Sequence, residues 1–155
     1  MKNILVFSLL FILLGMSALV SSAQNKDTAV ITGFISKQAT QESGTEYESA
    51  RKVVKGDLNR DGVADLAVLY KIEGQNGSNN YVQYLAVFTR NKDGLVPVTY
   101  TVVGGKSNRS VELTSIRNNV ISFKTLNYGP KDAACCPSKK GATRFVLVNS
   151  KLKEL

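Results

Sequence analysis

Residues 56–65 read GDLNRDGVAD, and oxygen-bearing side chains recur here at alternate positions. Counting Asp57 as position 1, Asn59 and Asp61 stand at 3 and 5, Gly62 at 6, the Val63 carbonyl at 7 and Asp65 at 9. Carboxylate, amide and carbonyl oxygens are hard donors, of which a calcium ion collects about six to eight. The alternation lets these oxygens converge on one point, with the intervening Leu58 and Arg60 expected to face outward. Gly62 falls where a calcium loop makes its sharp turn. Without a cation the three carboxylates would repel one another, so filling the site is expected to stabilise the fold. The plain alternative is a solvated Asx-rich turn between two strands.

The loop is not an EF-hand. Position 12 is Val68, where that motif needs a bidentate Glu, and the flanks read as strands rather than helices. The pattern DxNxDGxxD between strands resembles the calcium loop of FG-GAP repeats, found in integrin-type β-propellers and in many bacterial secreted proteins. The resemblance spans residues 55–69 and implies that Asp57, Asn59, Asp61 and Asp65 coordinate Ca²⁺, with Gly62 at the turn. One copy in a chain this short is not enough for a closed ring of blades, so a propeller does not carry over.

The elements that must hold this loop are strand-like. VVK (53–55) enters it and LAVLYKI (66–72) leaves it. A polar stretch, EGQNGSNN, precedes YVQYLAVFTR (81–90), and the NKDG turn with its Asp-Gly hairpin signal leads to LVPVTYTVV (95–103). Pro97 marks an edge position or a bulge. RSVELTSI (109–116), the turn RNN, VISFKTL (120–126) and TRFVLVN (143–149) follow, with Ser150 and Lys151 opening a short tail. Tyr70, Tyr81, Tyr84 and Tyr100 fall on these strands, where cross-strand packing accounts for them. The segment 24–50 is an N-terminal element and linker. Val30 with Phe34, and Ile31 with Ile35, are spaced as on a helix face, while Gly33 and the β-branched residues oppose a helix, and residues 38–46 read as loop. The expectation is one mainly β, or α+β, domain of antiparallel hairpins over 51–155, preceded by a short element of uncertain type.

Composition narrows the chemistry. The 155 residues contain no His and no Trp. Without His there is no Ser-His-Asp or Cys-His nucleophile and no imidazole ligand for zinc. Carboxylate or lysine catalysis survives in principle, including a hydrolase using a metal at the Asp loop, but that needs an open coordination position beside a pocket. Lys and Arg number 20 against 12 acids, a formal net charge of +8. Such a balance serves solubility or draws the protein to anionic envelope polymers or lipids. Basic residues are densest late, at Lys131, Lys139, Lys140, Arg144, Lys151 and Lys153, with no aromatic interleaving to favour specific nucleic-acid binding.

Lys2, the apolar run Ile4–Leu14 and the small residues Ser21 and Ala23 form the pattern of a secretory signal peptide over 1–23, cleaved before Gln24. The alternative is an uncleaved anchor over 4–20, opposed by Gly15, Ser17 and the small-residue exit. Cleavage leaves no transmembrane segment and places the protein outside the cell or in the periplasm, as a monomer.

The two cysteines, Cys135 and Cys136, are adjacent. An oxidising compartment favours a bond, and adjacent residues can close one only in a strained ring. A vicinal disulfide, a covalent dimer and buried reduced thiols all remain open. The Cys-Cys-Pro-Ser segment beside a DxNxDG loop is also similar to small secreted or lipid-anchored bacterial proteins of unassigned role. Together these features predict a secreted, non-catalytic calcium-binding domain, a binding or accessory module of the bacterial cell envelope whose partner is a protein or an anionic envelope component. The alternative is a small thiol- or disulfide-active protein using Cys135 and Cys136.

Overall fold

The computed structural model describes residues 25–133 and 135–155. The leader expected over 1–23 lies outside the described residues, and none of the described helices is long and apolar enough to cross a membrane. Helix α1 covers 25–41. Nine strands follow: β1 (Thr45–Glu46), β2 (Lys52–Gly56), β3 (Asp65–Glu73), β4 (Tyr81–Asn91), β5 (Gly94–Gly105), β6 (Arg109–Arg117), β7 (Val120–Asn127), β8 (Lys139–Val148) and β9 (Lys151–Glu154). They form one antiparallel sheet in the order β1-β3-β4-β5-β6-β7-β8-β9, with β2 also against β3. The chain is thus mainly β, built as the expected meander of hairpins.

The N-terminal element is a helix because its apolar residues fall on one stripe. Ile31, Ile35 and Ala39 are buried, while Gly33 lies in open space and costs only its intrinsic propensity. Burying the two isoleucines contributes about 1.5–3 kcal/mol each. The loop expected from Gln38 onward begins later, after residue 41, because Gln38 is itself buried and receives a hydrogen bond from the Tyr70 hydroxyl. Ser43, with φ 51°, then turns the chain, and the Gly44 N–H closes onto the Ala39 carbonyl at 2.9 Å.

Strands β3 and β4 are buried on both faces. Leu66, Val68, Tyr70, Ile72, Tyr84, Ala86 and Phe88 pack with α1. Their alternates Ala67, Leu69, Leu85 and Val87 pack with Leu58, Val103, Val111, Leu113, Ile121, Phe123 and Phe145. The molecule is therefore layered: helix, then β3 and β4, then the sheet's own C-terminal half folded beneath them.

That fold-over happens between β5 and β6, which share one register pair, Gly105 with Arg109. Past it the β6 backbone at Val111 is met by a side chain. Gln83 of β4 accepts from the Val111 N–H at 3.0 Å and donates to its carbonyl at 3.1 Å, standing in for a missing strand. Gly104 leaves the room, since a Cβ there would lie 2.8 Å from Gln83 Oε1 and 2.6 Å from the Arg109 carbonyl. Arg109 fastens the returning layer, its guanidinium reaching Glu154 at 2.7 and 3.0 Å and the Val103 carbonyl at 2.7 Å. Pro97 sits opposite Phe88 beside a register shift, on a strand whose other edge is almost unpaired. Both expectations for it hold. The expected tail is a ninth strand, because Asn149 and Ser150 adopt left-handed φ values of 49° and 59° and turn the chain back.

Candidate functional site

Loop 57–64 joins β2 to β3, and its aspartates fall into two groups. Asp57, Asn59 and Asp61 fold onto the loop's own backbone. Asp57 accepts from the N–H groups of Arg60 (2.6 Å) and Gly62 (3.0 Å), Asn59 from that of Asp61 (3.0 Å), and Asp61 from that of Val63 (2.7 Å). The Asn59 amide also donates to Asp61 at 2.8 Å. These are Asx turns. Gly62 takes a φ of 80°, as its place at the sharp turn predicts, and Arg60 takes 66°. Asn59, Asp61 and Val63 are exposed and Asp57 is half-buried.

Asp65 is different. It is fully buried as the first residue of β3 and accepts from the Leu58 N–H at 2.9 Å and the Arg90 N–H at 3.0 Å. One carboxylate thus ties the loop's first turn to β4. The expectation that Leu58 faces outward with Arg60 is corrected. Leu58 is 2% exposed and belongs to the lower core, because the Asp65 bond draws its backbone inward. Arg60 does face outward and donates to Asn119 in the β6–β7 turn at 3.2 Å. Gly56 permits this junction, since a Cβ there would lie 2.6 Å from Ile116 of β6.

Whether these residues suit calcium turns on their donors. Among the described residues no three His, Cys, Asp or Glu side chains gather as a metal-holding group. The oxygens of Asp57 and Asp61 and the Asn59 carbonyl each hold one hydrogen-bond donor, and an sp² oxygen has a second lone pair to offer. Together with the Val63 carbonyl they form a hard-oxygen set of the type calcium takes, so the donor chemistry fits.

The sulfurs of Cys135 and Cys136 lie at disulfide distance from each other, and no described cysteine is free. Both are exposed. The vicinal reading is the one this geometry matches. The residue that sequence reasoning passed over is Asp132. It accepts from the Gly129 N–H (2.7 Å) and from the Ser138 N–H and hydroxyl (both 2.8 Å), closing the cysteine segment into a ring of hydrogen bonds. These bonds, Gly129 first, hold its carboxyl below the usual carboxylate range. The string DAACCPS carried no spacing rule that could have shown it.

A second unannounced group lies between α1 and the sheet. The Glu42 carboxylate receives bonds from the Tyr84 hydroxyl (2.5 Å), the Gln38 amide (2.7 Å) and the Gln75 amide (3.1 Å). Burial raises the Glu42 pKa, yet these three bonds outweigh it and hold the carboxyl below its ordinary value. Burial, then the bond to Glu42, push the Tyr84 phenol up. Tyr70 and Tyr84 stack across the strands at 5.4 Å, so the expected cross-strand packing is present.

Compared with family models, with curated proteins and with solved structures, the chain matches none.

Proposed function

We propose that this is a secreted or periplasmic, non-catalytic domain whose loop 57–65 holds one calcium ion, acting as a binding or accessory module of a bacterial cell envelope. The observation that carries the reading is the set of hard oxygens that Asp57, Asn59 and Asp61 present on one short turn, each residue fixed by the loop's own N–H groups. Asp57, Asn59, Asp61 and the Val63 carbonyl would hold the ion, with Asp65 as the fourth side chain of the FG-GAP-like pattern. Calcium supplies charge neutralisation here and no reaction. Because the loop touches β4 through Asp65 and the β6–β7 turn through Arg60, neutralising it would stiffen the junction of the two sheet halves.

Equilibrium dialysis and a thermal melt in EDTA and in calcium test this. The expected result is one ion per chain and a raised melting temperature, with both effects lost in Asp61→Ala. At 100-fold excess over the dissociation constant the stabilisation is about 2.7 kcal/mol. No bound calcium at millimolar concentration would end the proposal.

A second reading rests on the exposed Cys135–Cys136 pair. A bridge open to solvent beside Lys131 and Lys139 meets attacking thiolates readily, so the chain would be a small thiol- or disulfide-active protein. Titration with a mild reductant checks it. Release of two thiols without loss of fold supports the reading, and a pair that resists reduction in the native protein rules it out.

A further inference from the structure

The outward face of the C-terminal half carries a charge layout that neither the calcium loop nor the core explains. Side chains alternate along a strand, and the inward rows of β6, β7 and β8 are marked by Val111, Leu113, Ile121, Phe123 and Phe145. The register then sets Arg117, Lys124, Lys140, Arg144, Lys151 and Lys153 on the opposite, solvent-facing side, with Glu112 as the single carboxylate among them. All seven are exposed. The four ion pairs among the described residues lie elsewhere, so none of these cations is neutralised by a salt bridge.

The densest point is at Lys124. It opposes Ala142 of β8, whose neighbours two positions away on the same face are Lys140 and Arg144. Diagonal neighbours of this kind stand about 7–8 Å apart. Lys124 repels both neighbours, and Glu112, directly across from it on β6, is the one acid set against the three cations, so the cluster keeps a net positive charge. A shallow trough of about 550 Å³ crosses the strands at the same place, lined by Ser110, Glu112, Lys124, Leu126, Lys140 and Gly141.

We propose that this face of β6–β9 binds a linear anionic glycan, a chain bearing repeated carboxylate or sulfate groups. Charge complementarity calls for a polyanion, and the trough suits an extended polymer lying across the strands. The outward residues include no aromatic ring, only Val120, Leu126, Val146 and Val148 as large apolar groups. The face therefore lacks both the stacking platforms that hold single-stranded nucleic acid and the aromatic rings that settle at a bilayer interface. Ser110 and Ser122 place hydroxyls beside the cations, suited to sugar hydroxyls. This deepens the envelope-partner half of the proposed function and does not depend on calcium.

The test uses heparin as the probe, with the whole chain in EDTA. We expect heparin binding at about 50 mM salt that weakens steeply by about 200 mM. Lys124→Glu with Arg144→Glu should weaken it about tenfold or more and flatten the salt dependence, and Glu112→Gln should tighten it. Lys37→Glu with Lys52→Glu, exposed residues outside this face, removes the same charge and should change affinity far less. All these side chains are exposed, so each variant should still fold cooperatively, which a thermal melt checks. The proposal is overturned if heparin is not bound at the lower salt, if the two double variants lose affinity equally, or if poly(dT) or phosphatidylglycerol vesicles bind more tightly than heparin. Since EDTA removes calcium from the measurement, failure here leaves the calcium melt to stand or fall separately.

Discussion

Asp65 and Asp61 belong to one loop but answer to different physics. Asp65 is buried and serves two N–H groups, those of Leu58 and Arg90. Asp65→Ala would strand both donors away from water, at about 1–3 kcal/mol for each unsatisfied group. Urea unfolding in EDTA should show the loss in full. Asp61→Ala, on the exposed part of the turn, should cost about 1 kcal/mol or less in EDTA, and equal losses for the two variants would contradict this assignment. Glu42 makes a pH-dependent contribution. Its folded pKa lies below its ordinary value of 4.5, so the carboxylate stabilises the fold above the unfolded pKa, and that support disappears as pH falls through the folded pKa. Glu154, held low chiefly by Arg109, acts in the same direction. The Glu42 share is therefore isolated as the stability difference between the wild type and Glu42→Gln. That difference should be present at neutral pH and shrink toward zero well below pH 4.5. A pH-independent difference would show that the carboxylate's charge has no part in holding α1.

At the scale of elements, the joint between the sheet halves is made of Gln83, Gly104 and Arg109. Gln83→Ala leaves the Val111 N–H and carbonyl without their side-chain partners, and urea denaturation should register a loss of about 1–3 kcal/mol. Little of this joint was legible in the sequence. GGK reads as a turn, but nothing local says that a glutamine two strands earlier occupies the gap, because the pairing is made in three dimensions by an amide that mimics a peptide group. The hairpins were legible for a clear reason. NKDG places Asn91 to accept the Asp93 and Gly94 N–H groups at 2.8 and 3.1 Å, and RNN supplies Asn118 and Asn119 with φ values of 50° and 65°. These local rules act on the residues themselves. The helix was ambiguous because β-branched Val30, Ile31 and Ile35 satisfy a strand's preferences as well as a helix's stripe, and burial against β3 and β4 decides between them. In the candidate loop the turn at Gly62 was legible, but the inward position of Leu58 was not, since it depends on a bond to Asp65, seven residues on, rather than on the alternation of its neighbours.

The whole molecule is a layered stack with an uneven distribution of support. β3 and β4 have strands on either side and apolar layers above and below, whereas β9 has one neighbour and four residues. Native-state hydrogen exchange should find the slowest amides at Val68–Tyr70 and Leu85–Val87, limited by global unfolding. β9 and β1 should exchange fastest among the strands, and β6–β8 should open together at intermediate protection, since one register pair joins them to β5. Uniform protection across all nine strands would contradict this division. LAVLYKI, expected only as a strand leaving the loop, is a run without alternation, which is what two buried faces require. From β3 onward each strand pairs with the one that precedes it in the chain. A polypeptide delivered N-terminus first can therefore close every hairpin as it arrives. It cannot cover the second face of β3 and β4 in that way: Leu69, Leu85 and Val87 must wait for Val111, Phe123 and Phe145, which emerge last. Until then the half-made chain exposes an apolar sheet, the kind of surface on which unfinished proteins adhere to one another, so its emergence from the machinery that makes it is when it most needs an escort.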